Sequence, residues 1–206
     1  KKKGFKTVET VLDGYRTELL NKGANGSVRE SAGPVVWGDR LDASPIENSW
    51  RVITYDKGTW IMHMLRRRLG DAAFMRLLKT MTARFQFKSI TTAQFQNLAR
   101  ELRPPNLSAE AVDAFFDNWV YRTGVPTLKI RSSFTGVAPS IKLSGTVEQT
   151  GVDDDFSVEI PIEIQTGPGT PQIVWVRTAG ESKAFSATLR QPPTRVGIAN
   201  DVLMKR

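Results

Sequence analysis

The sequence predicts an α+β protein in which a helical segment of about five helices precedes a small antiparallel β-sandwich. Apolar residues recur at helical spacing through the first 124 residues, and they alternate with polar residues from Val125 onward. Glycine and proline clusters separate the segments of each kind. The pattern changes near Thr123 to Pro126, so we expect two domains, residues 1–124 and residues 125–206.

The first helix is expected from about Phe5 to Leu20, where apolar side chains recur every three or four residues. Residues 22–50 are rich in Gly, Asn, Ser and Pro, which predicts a long irregular loop. A loop of this length inside a domain is usually functional or disordered. Trp37 and Trp50 favour an ordered loop.

Four further helices are predicted from their apolar stripes and from the residues that can begin them. The second is expected to begin near Thr54, whose hydroxyl can cap the free amides of the first turn, and to end before Gly70. The expected first residues or caps of the other three helices are Asp71, Thr91 or Thr92, and Ser108.

Six short strands are predicted in the second domain, at a spacing typical of a small antiparallel sandwich. Pro161 lies within the third, where it removes a backbone donor, so we expect that strand at a sheet edge or at a bulge. The six segments are 127–132, 141–145, 156–164, 172–177, 184–190 and 195–198.

Composition excludes several kinds of site. The chain has one histidine and no cysteine among its 206 residues, whereas zinc in proteins is held chiefly by those two residue types. We therefore expect no zinc site within the chain itself, and no cysteine nucleophile, redox dithiol or iron–sulfur cluster. The uncharged apolar stretches fall short of the ~18 to 20 residues that cross a bilayer, so no transmembrane segment is predicted.

The net charge of +8 raises the question of nucleic-acid binding, and the run Arg66 to Arg68 is its best candidate. Successive helical residues point about 100° apart, so these arginines cannot form the single basic face that such binding needs. Ion pairing or solvation is the favoured interpretation, and no nucleic-acid partner is predicted. The acidic run Asp153 to Asp155 is expected to be a solvated turn, and His63 a packing residue.

The segment from Tyr55 to Arg66 carries the candidate site. Tyr55 is expected on the first turn of the second helix, where its hydroxyl can project past the helix end towards a cleft. Gly58 lies inside that helix at a cost of about 0.5 to 1 kcal/mol relative to alanine, which predicts the close approach of a neighbour. The residues alone leave a catalytic tyrosine and an ordinary packed tyrosine open, and they favour the second.

An ordered set of motifs over about residues 30 to 130 resembles the gluzincin zinc aminopeptidases of the membrane alanyl aminopeptidase type, peptidase family M1. The loop before Tyr55 is similar to that of bacterial members. The motifs are Gly33-Pro34, Gly38-Asp39-Arg40-Leu41, Tyr55-x-Lys57-Gly58, Met64-Leu65-Arg66, Leu69-Gly70-Asp71, Phe74, Thr91-Thr92, Phe115-Phe116-Asp117-Asn118-Trp119 and Thr123-Gly124-Val125-Pro126.

The resemblance implies that residues 1–124 are the last portion of a thermolysin-like catalytic domain and that residues 125–206 are the β-sandwich following it. In this family a His-Glu-x-x-His helix and a later Glu hold zinc upstream, and none of these ligands occurs in this chain. The chain is therefore expected to be a fragment that binds no zinc and is inactive alone. Its parent is expected to need zinc, peptide substrates and the missing upstream catalytic half.

Tyr55 is the one catalytic residue that the resemblance transfers to this chain. Zinc-bound water attacks the scissile carbonyl in this family, and a tyrosine hydroxyl donates to the resulting oxyanion. Structural roles are favoured for the other residues near the motifs. Asp56, Lys57 and Arg66 are candidates for ion pairs or the cleft wall, Asp39 and Arg40 for the cleft loop, and Phe115, Phe116 and Trp119 for packing.

Two other functions stay open at the level of the sequence, namely a non-enzymatic binding or assembly module and a basic nucleic-acid binder. A secreted, periplasmic or membrane-anchored parent is favoured over a cytoplasmic one. The chain begins at Lys1 with no initiator methionine or signal peptide, so we expect it to be a piece of a longer protein. Stripped of its neighbour, it is expected to expose apolar surface through which it could self-associate.

Overall fold

The structure, a computed structural model, describes residues 2–180 and 182–206, with side chains from residue 7 onward. The chain divides between Gly124 and Val125 into two compact units. The first unit is helical and the second consists of antiparallel strands, so the α+β fold class is confirmed. Within the described ranges, none of the helices has both the length and the apolar character that a membrane span requires.

The described part of the first unit is built from α-helices, two 3-10 segments and one π-helical turn. The elements in chain order are α1 Lys2–Leu20, the 3-10 segments Arg29–Ala32 and Val35–Ala43, α2 Ser49–Arg51, the π-helical turn Val52–Lys57, α3 Gly58–Leu69, α4 Asp71–Phe85, α5 Thr92–Leu102 and α6 Ala109–Trp119. A sixth α-helix appears beyond the five expected because α2 precedes the π-helical turn as a separate short element.

Local capping chemistry sets two of the predicted helix starts. The Thr91 hydroxyl accepts from the amide of Gln94, and the Gln94 side chain accepts from the Thr91 amide in return. This reciprocal pair is a capping box, and it satisfies two backbone donors that a helix start leaves free. Ser108 accepts from the amide of Ala111 in the same way, so both predicted starts are confirmed.

One other predicted start is wrong, and one predicted cap is not formed. The second helix begins at Ser49 instead of Thr54, because α2, the π-helical turn and α3 follow one another without a break. Thr54 therefore lies inside the helical segment, and its buried hydroxyl caps nothing. Asp71 is the first residue of α4, but its carboxylate accepts from Nε of Arg66 at 2.7 Å and does not cap the helix.

The loop predicted over residues 22–50 is largely ordered by short helical segments. A 3-10 segment follows Gly33, and that glycine explains how the segment packs. A Cβ atom on Gly33 would lie 2.5 Å from the Trp37 ring and 2.9 Å from the Leu41 side chain. The absence of a side chain thus lets the loop backbone close against its own apolar residues.

The core of the first unit lies between α1, the π-helical turn, α3 and the last two helices. Trp60 is fully buried, and its indole Nε1 donates to the carbonyl of Leu12 at 2.8 Å, which ties α3 to α1. Phe95 of α5 meets Phe116 of α6 edge-on, with ring centroids 6.0 Å apart. Further fully or nearly buried side chains are Leu19, Val52, Ile53, Leu65, Leu77, Leu98, Val112 and Trp119.

The second unit contains two three-stranded antiparallel sheets, with strand orders β1-β2-β5 and β4-β3-β6. Alternate residues of β2 and β3 are buried, as the alternating pattern predicted. A polar contact links the sheets, since Thr178 of β4 donates to Gln149 of β2 at 2.5 Å. The strands are β1 Thr127–Val137, β2 Ser140–Thr150, β3 Ser157–Gln165, β4 Gln172–Ala179, β5 Lys183–Leu189 and β6 Arg195–Ile198.

The expectation that Pro161 marks an edge strand or a bulge is wrong. Pro161 lies in β3, which is the central strand of its sheet, and it pairs in regular register with Trp175. The ladder between β3 and the short strand β6 covers only residues 162–165. Beyond it, Pro161 contributes its carbonyl as acceptor for the amide of Ala199, so a residue without an amide hydrogen is tolerated there.

Candidate functional site

Tyr55 is displayed on the surface of the helical unit. It lies in the π-helical turn, where the amide of Gly58 reaches back five residues to the carbonyl of Ile53. Its side chain is 55% exposed, and its ring meets that of Trp50 edge-on, with centroids 5.4 Å apart. The hydroxyl therefore belongs to a ring that is supported on one side and open to solvent.

A cavity of about 580 Å³ adjoins Tyr55. Most of its wall is apolar, and the hydroxyl-bearing side chains lie in the π-helical turn, in the first turn of α3 and at the start of α5. The lining residues are Val35, Thr54, Tyr55, Gly58, Thr59, Ile61, Met62, Ile90, Thr91, Thr92, Phe95, Phe116 and Val120. The predicted tyrosine thus borders a concave surface.

Asp56 points inward next to Tyr55. Only 2% of its surface is exposed, and the nearest cation is the Arg51 guanidinium, with Nη1 at 3.8 Å from the carboxylate. Burial raises the pKa of Asp56 above its usual 3.8, and the positive charge of Arg51 partly opposes this shift. Asp56 is therefore a buried carboxyl within the unit and does not line the cavity beside Tyr55.

Lys57 is fully buried and pairs with a carboxylate that the sequence did not single out. Its ammonium donates to Oε1 of Glu30 at 2.7 Å and to the carbonyl of Arg122 at 3.0 Å. Glu30 is 2% exposed and also accepts from the amide of Gly124, at 2.9 Å from each oxygen. Lys57 thus forms a buried ion pair, in keeping with its structural interpretation.

One signal in the sequence could have indicated the burial of Lys57. Ile53 and Ile61 lie four residues before and after it, and both are buried. A lysine placed between two such residues has to find a buried partner. The identity of that partner, 27 residues earlier in the chain, has no periodic signal.

Three charged residues near the motifs, Asp39, Arg40 and Arg66, do not line the cavity beside Tyr55. Asp39 and Arg40 are exposed, and Arg40 borders a separate cavity of about 420 Å³ beside Trp37. Arg66 forms its exposed ion pair with Asp71, and the hydrogen bond between them lowers the pKa of Asp71. These residues therefore do not converge on the cavity at Tyr55.

His63 and the acidic run Asp153 to Asp155 have ordinary structural surroundings. His63 meets Trp60 edge-on with ring centroids 6.0 Å apart, consistent with packing. The run Asp153 to Asp155 forms a turn that the amide of Phe156 closes onto the carbonyl of Asp153. Throughout residues 2–180 and 182–206, no group of three or more His, Cys, Asp or Glu side chains could hold a metal ion.

Comparison with known proteins assigns the helical unit, which carries the exposed tyrosine, to a protein family. Residues 8–119, more than half of the chain, match the family model of the peptidase family M1 domain. The chain therefore belongs to peptidase family M1, as its motifs predicted.

Two relatives carry the comparison further. An aminopeptidase N of Lactococcus lactis subsp. lactis is 36% identical over 76 residues, which are 37% of this chain and 8% of that protein. The crystal structure of Legionella pneumophila aminopeptidase A in complex with aspartic acid has a TM-score of 0.53 at 14% identity. That match covers 73% of this chain and 17% of the Legionella chain, and it concerns the fold. The chain spans less than a fifth of either relative.

Proposed function

We propose that the chain is part of a zinc-dependent aminopeptidase that removes amino-terminal residues from peptides. Membership of peptidase family M1 supports this proposal, as do two relatives that are named aminopeptidases. In this proposal residues 1–124 form the end of the catalytic domain, and residues 125–206 form the β-sandwich domain that follows it.

The exposure of Tyr55 is the observation that carries the proposal. A tyrosine whose ring was buried in the interior could not reach a substrate, whereas 55% of Tyr55 is exposed beside a cavity. A phenol hydroxyl is a neutral hydrogen-bond donor. Tyr55 therefore can donate a hydrogen bond to the oxyanion that forms when the scissile carbonyl is attacked, without bringing a charge into the site.

The metal of the parent enzyme does not fit this chain. A single histidine and the lack of any acidic or histidine cluster among the described residues leave no ligand set for it. We place the zinc ligands in the missing upstream half, and we expect the 206-residue chain to hydrolyse nothing by itself. Stoichiometric zinc binding together with turnover of an aminoacyl reporter by this chain would refute that expectation.

The experiment on Tyr55 is the substitution Tyr55→Phe in the parent protein. The variant keeps the ring and loses only the hydroxyl, so the fold and the metal content are expected to stay unchanged. Loss of one oxyanion donor is expected to lower kcat about 10²- to 10³-fold. Tyr15→Phe is the matched control, because it removes a half-buried phenol of α1 that does not line the cavity. Full turnover in Tyr55→Phe would remove this residue from the mechanism.

The same proposal accounts for several exposed apolar side chains of the helical unit. Val36, Trp37 and Tyr55 are each more than 40% exposed, and Val8 and Val11 of α1 are similar. We propose that the missing upstream half covers part of this surface in the parent. The isolated chain is then expected to self-associate, which sedimentation over a range of concentrations would measure. A monomer at all concentrations would contradict this expectation.

A further inference from the structure

The ion pair between Lys57 and Glu30 is unusual because it is buried and because it also binds backbone groups of another segment. Neither side chain has meaningful contact with solvent. Beyond each other, the two charged groups bind the carbonyl of Arg122 and the amide of Gly124. The pair therefore connects the first 3-10 segment, the π-helical turn and the chain that follows α6.

A buried ion pair is a poor means of gaining stability. Removing two charges from water costs about as much as their mutual attraction returns, and well-packed apolar residues often stabilise a protein equally well. Such a pair does fix the orientation of the segments that carry it, because a buried ammonium needs hydrogen-bond acceptors at particular positions. The pair is therefore better explained by a geometric requirement than by stability alone.

The geometry that it fixes includes the direction of Tyr55. Residues two apart on a helix point roughly half a turn apart, so an inward Lys57 turns Tyr55 outward. The segment between them is π-helical, a rare geometry that occurs frequently at functional sites. Val52 and Ile53 bury one face of the same turn, and the Lys57 ammonium adds directional anchors at two oxygens from distant segments.

We propose that Lys57 and Glu30 are positioning residues that hold the π-helical turn in the rotation that presents the Tyr55 hydroxyl to substrate. This inference rests on the proposed role of Tyr55. It adds that the orientation of the Tyr55 side chain depends on a carboxylate 25 residues earlier in the chain and on the backbone of Arg122 and Gly124. A role in stability alone would not require any link to Tyr55.

The kinetic test measures whether the effects of substituting Glu30 and Tyr55 on kcat are additive in the parent enzyme. Glu30→Gln keeps the shape of the side chain but removes the charge that Lys57 faces. A displaced oxyanion donor is expected to lower kcat by about 10²-fold, since an error of 1 Å can cost that much, while KM stays within about twofold. In the Tyr55→Phe background the same substitution is expected to lower kcat by no more than about twofold, because a displaced phenylalanine has no hydroxyl to misplace. Equal losses in both backgrounds would overturn the proposal.

A second measurement does not depend on catalysis. In the 206-residue chain the rings of Tyr55 and Trp50 lie 5.4 Å apart, close enough for a nuclear Overhauser effect between them. Glu30→Gln is expected to weaken or abolish this signal. Glu101→Gln is the matched control, because it removes the carboxylate of the exposed pair between Glu101 and Arg84, whose atoms also lie 2.7 Å apart. An unchanged signal in Glu30→Gln would overturn the proposal.

The two measurements separate this inference from the proposed function. If Tyr55→Phe is fully active while Glu30→Gln displaces the ring, the catalytic role falls and the positioning role stands. If Tyr55→Phe is inactive while the ring does not move, only the positioning role falls. Should Glu30→Gln fail to fold, the paired substitution Glu30→Met with Lys57→Met decides, because it leaves no unpaired buried charge. A folded paired variant with an unmoved ring would refute the proposal.

Discussion

Removal of the Glu30 charge should destabilise the helical unit far more than removal of an equally short ion pair at the surface. In Glu30→Gln the Lys57 ammonium stays fully buried with only neutral carbonyl acceptors, that of Arg122 and that of the substituted amide, and with no counter-charge. An uncompensated buried charge costs about 3–5 kcal/mol. The Glu101→Gln substitution breaks a pair with the same 2.7 Å distance, but both partners are about half exposed and water replaces the lost contact.

Urea unfolding followed by circular dichroism at 222 nm measures this difference, because the helices lie in the first unit. Linear extrapolation gives the free energy of unfolding of each variant. Glu30→Gln is expected to lose about 3–5 kcal/mol, and Glu101→Gln is expected to stay close to the native chain. The paired variant Glu30→Met with Lys57→Met is expected to lose less than Glu30→Gln. Equal stabilities of Glu30→Gln and Glu101→Gln would refute the reasoning.

Two further predictions concern the residues on either side of Lys57. Gly58→Ala is expected to raise the free energy of unfolding by about 0.5 to 1 kcal/mol, because alanine loses less backbone entropy than glycine in a helix. The added Cβ would meet only the Ile53 carbonyl, at 4.0 Å. A lower free energy of unfolding in urea would contradict this prediction. Burial raises the pKa of Asp56, with Arg51 opposing, so its contribution to stability is greatest below pH 3.8 and is lost as pH rises through the folded pKa. Asp56→Asn should therefore gain stability relative to the native chain between about pH 3 and pH 7; a difference independent of pH would contradict this.

The sequence predicted elements well where their signals are local. The starts of α5 and α6 follow from Thr91 and Ser108, whose side chains cap the next few amides. The six strands follow from alternation, because one face of each sheet is buried. The expected strands are shorter than those observed in β1, β2 and β4, and in β1 the added residues 133–137 are all exposed.

The start of the second helix could not be found by the same means. A π-helical turn inserts an extra residue per turn, so the 3.6-residue period breaks between Val52 and Lys57. The stripe therefore becomes regular only from Gly58 onward, and Thr54 resembles a cap because it precedes the regular part. The close approach expected at Gly58 was wrong, since a Cβ there would meet only the Ile53 carbonyl, at 4.0 Å, and Gly58 borders the cavity beside Tyr55.

The residues of the candidate site also differ in whether the sequence could predict them. Tyr55 was found through a motif, whereas the cavity beside it is formed largely by residues distant in the chain, such as Ile90, Phe95 and Phe116. Glu30 was missed because its partner lies 27 residues away, beyond any periodic pattern. A charged residue flanked by apolar residues at helical spacing indicates that it has a buried partner, but only the tertiary fold identifies that partner.

An apolar side chain at position 57 would not perform the same task as the lysine. Methionine or leucine can be buried in several rotamers at similar energy, so it would hold the π-helical turn in the core without fixing its rotation. An ammonium is strongly destabilised unless its acceptors lie at hydrogen-bond distance, which confines the turn to the rotation that reaches Glu30 and the Arg122 carbonyl. The paired methionine variant separates the two cases, since it should fold and yet leave the Tyr55 ring in more than one orientation. A single, native ring orientation in that variant would mean that apolar packing alone directs Tyr55.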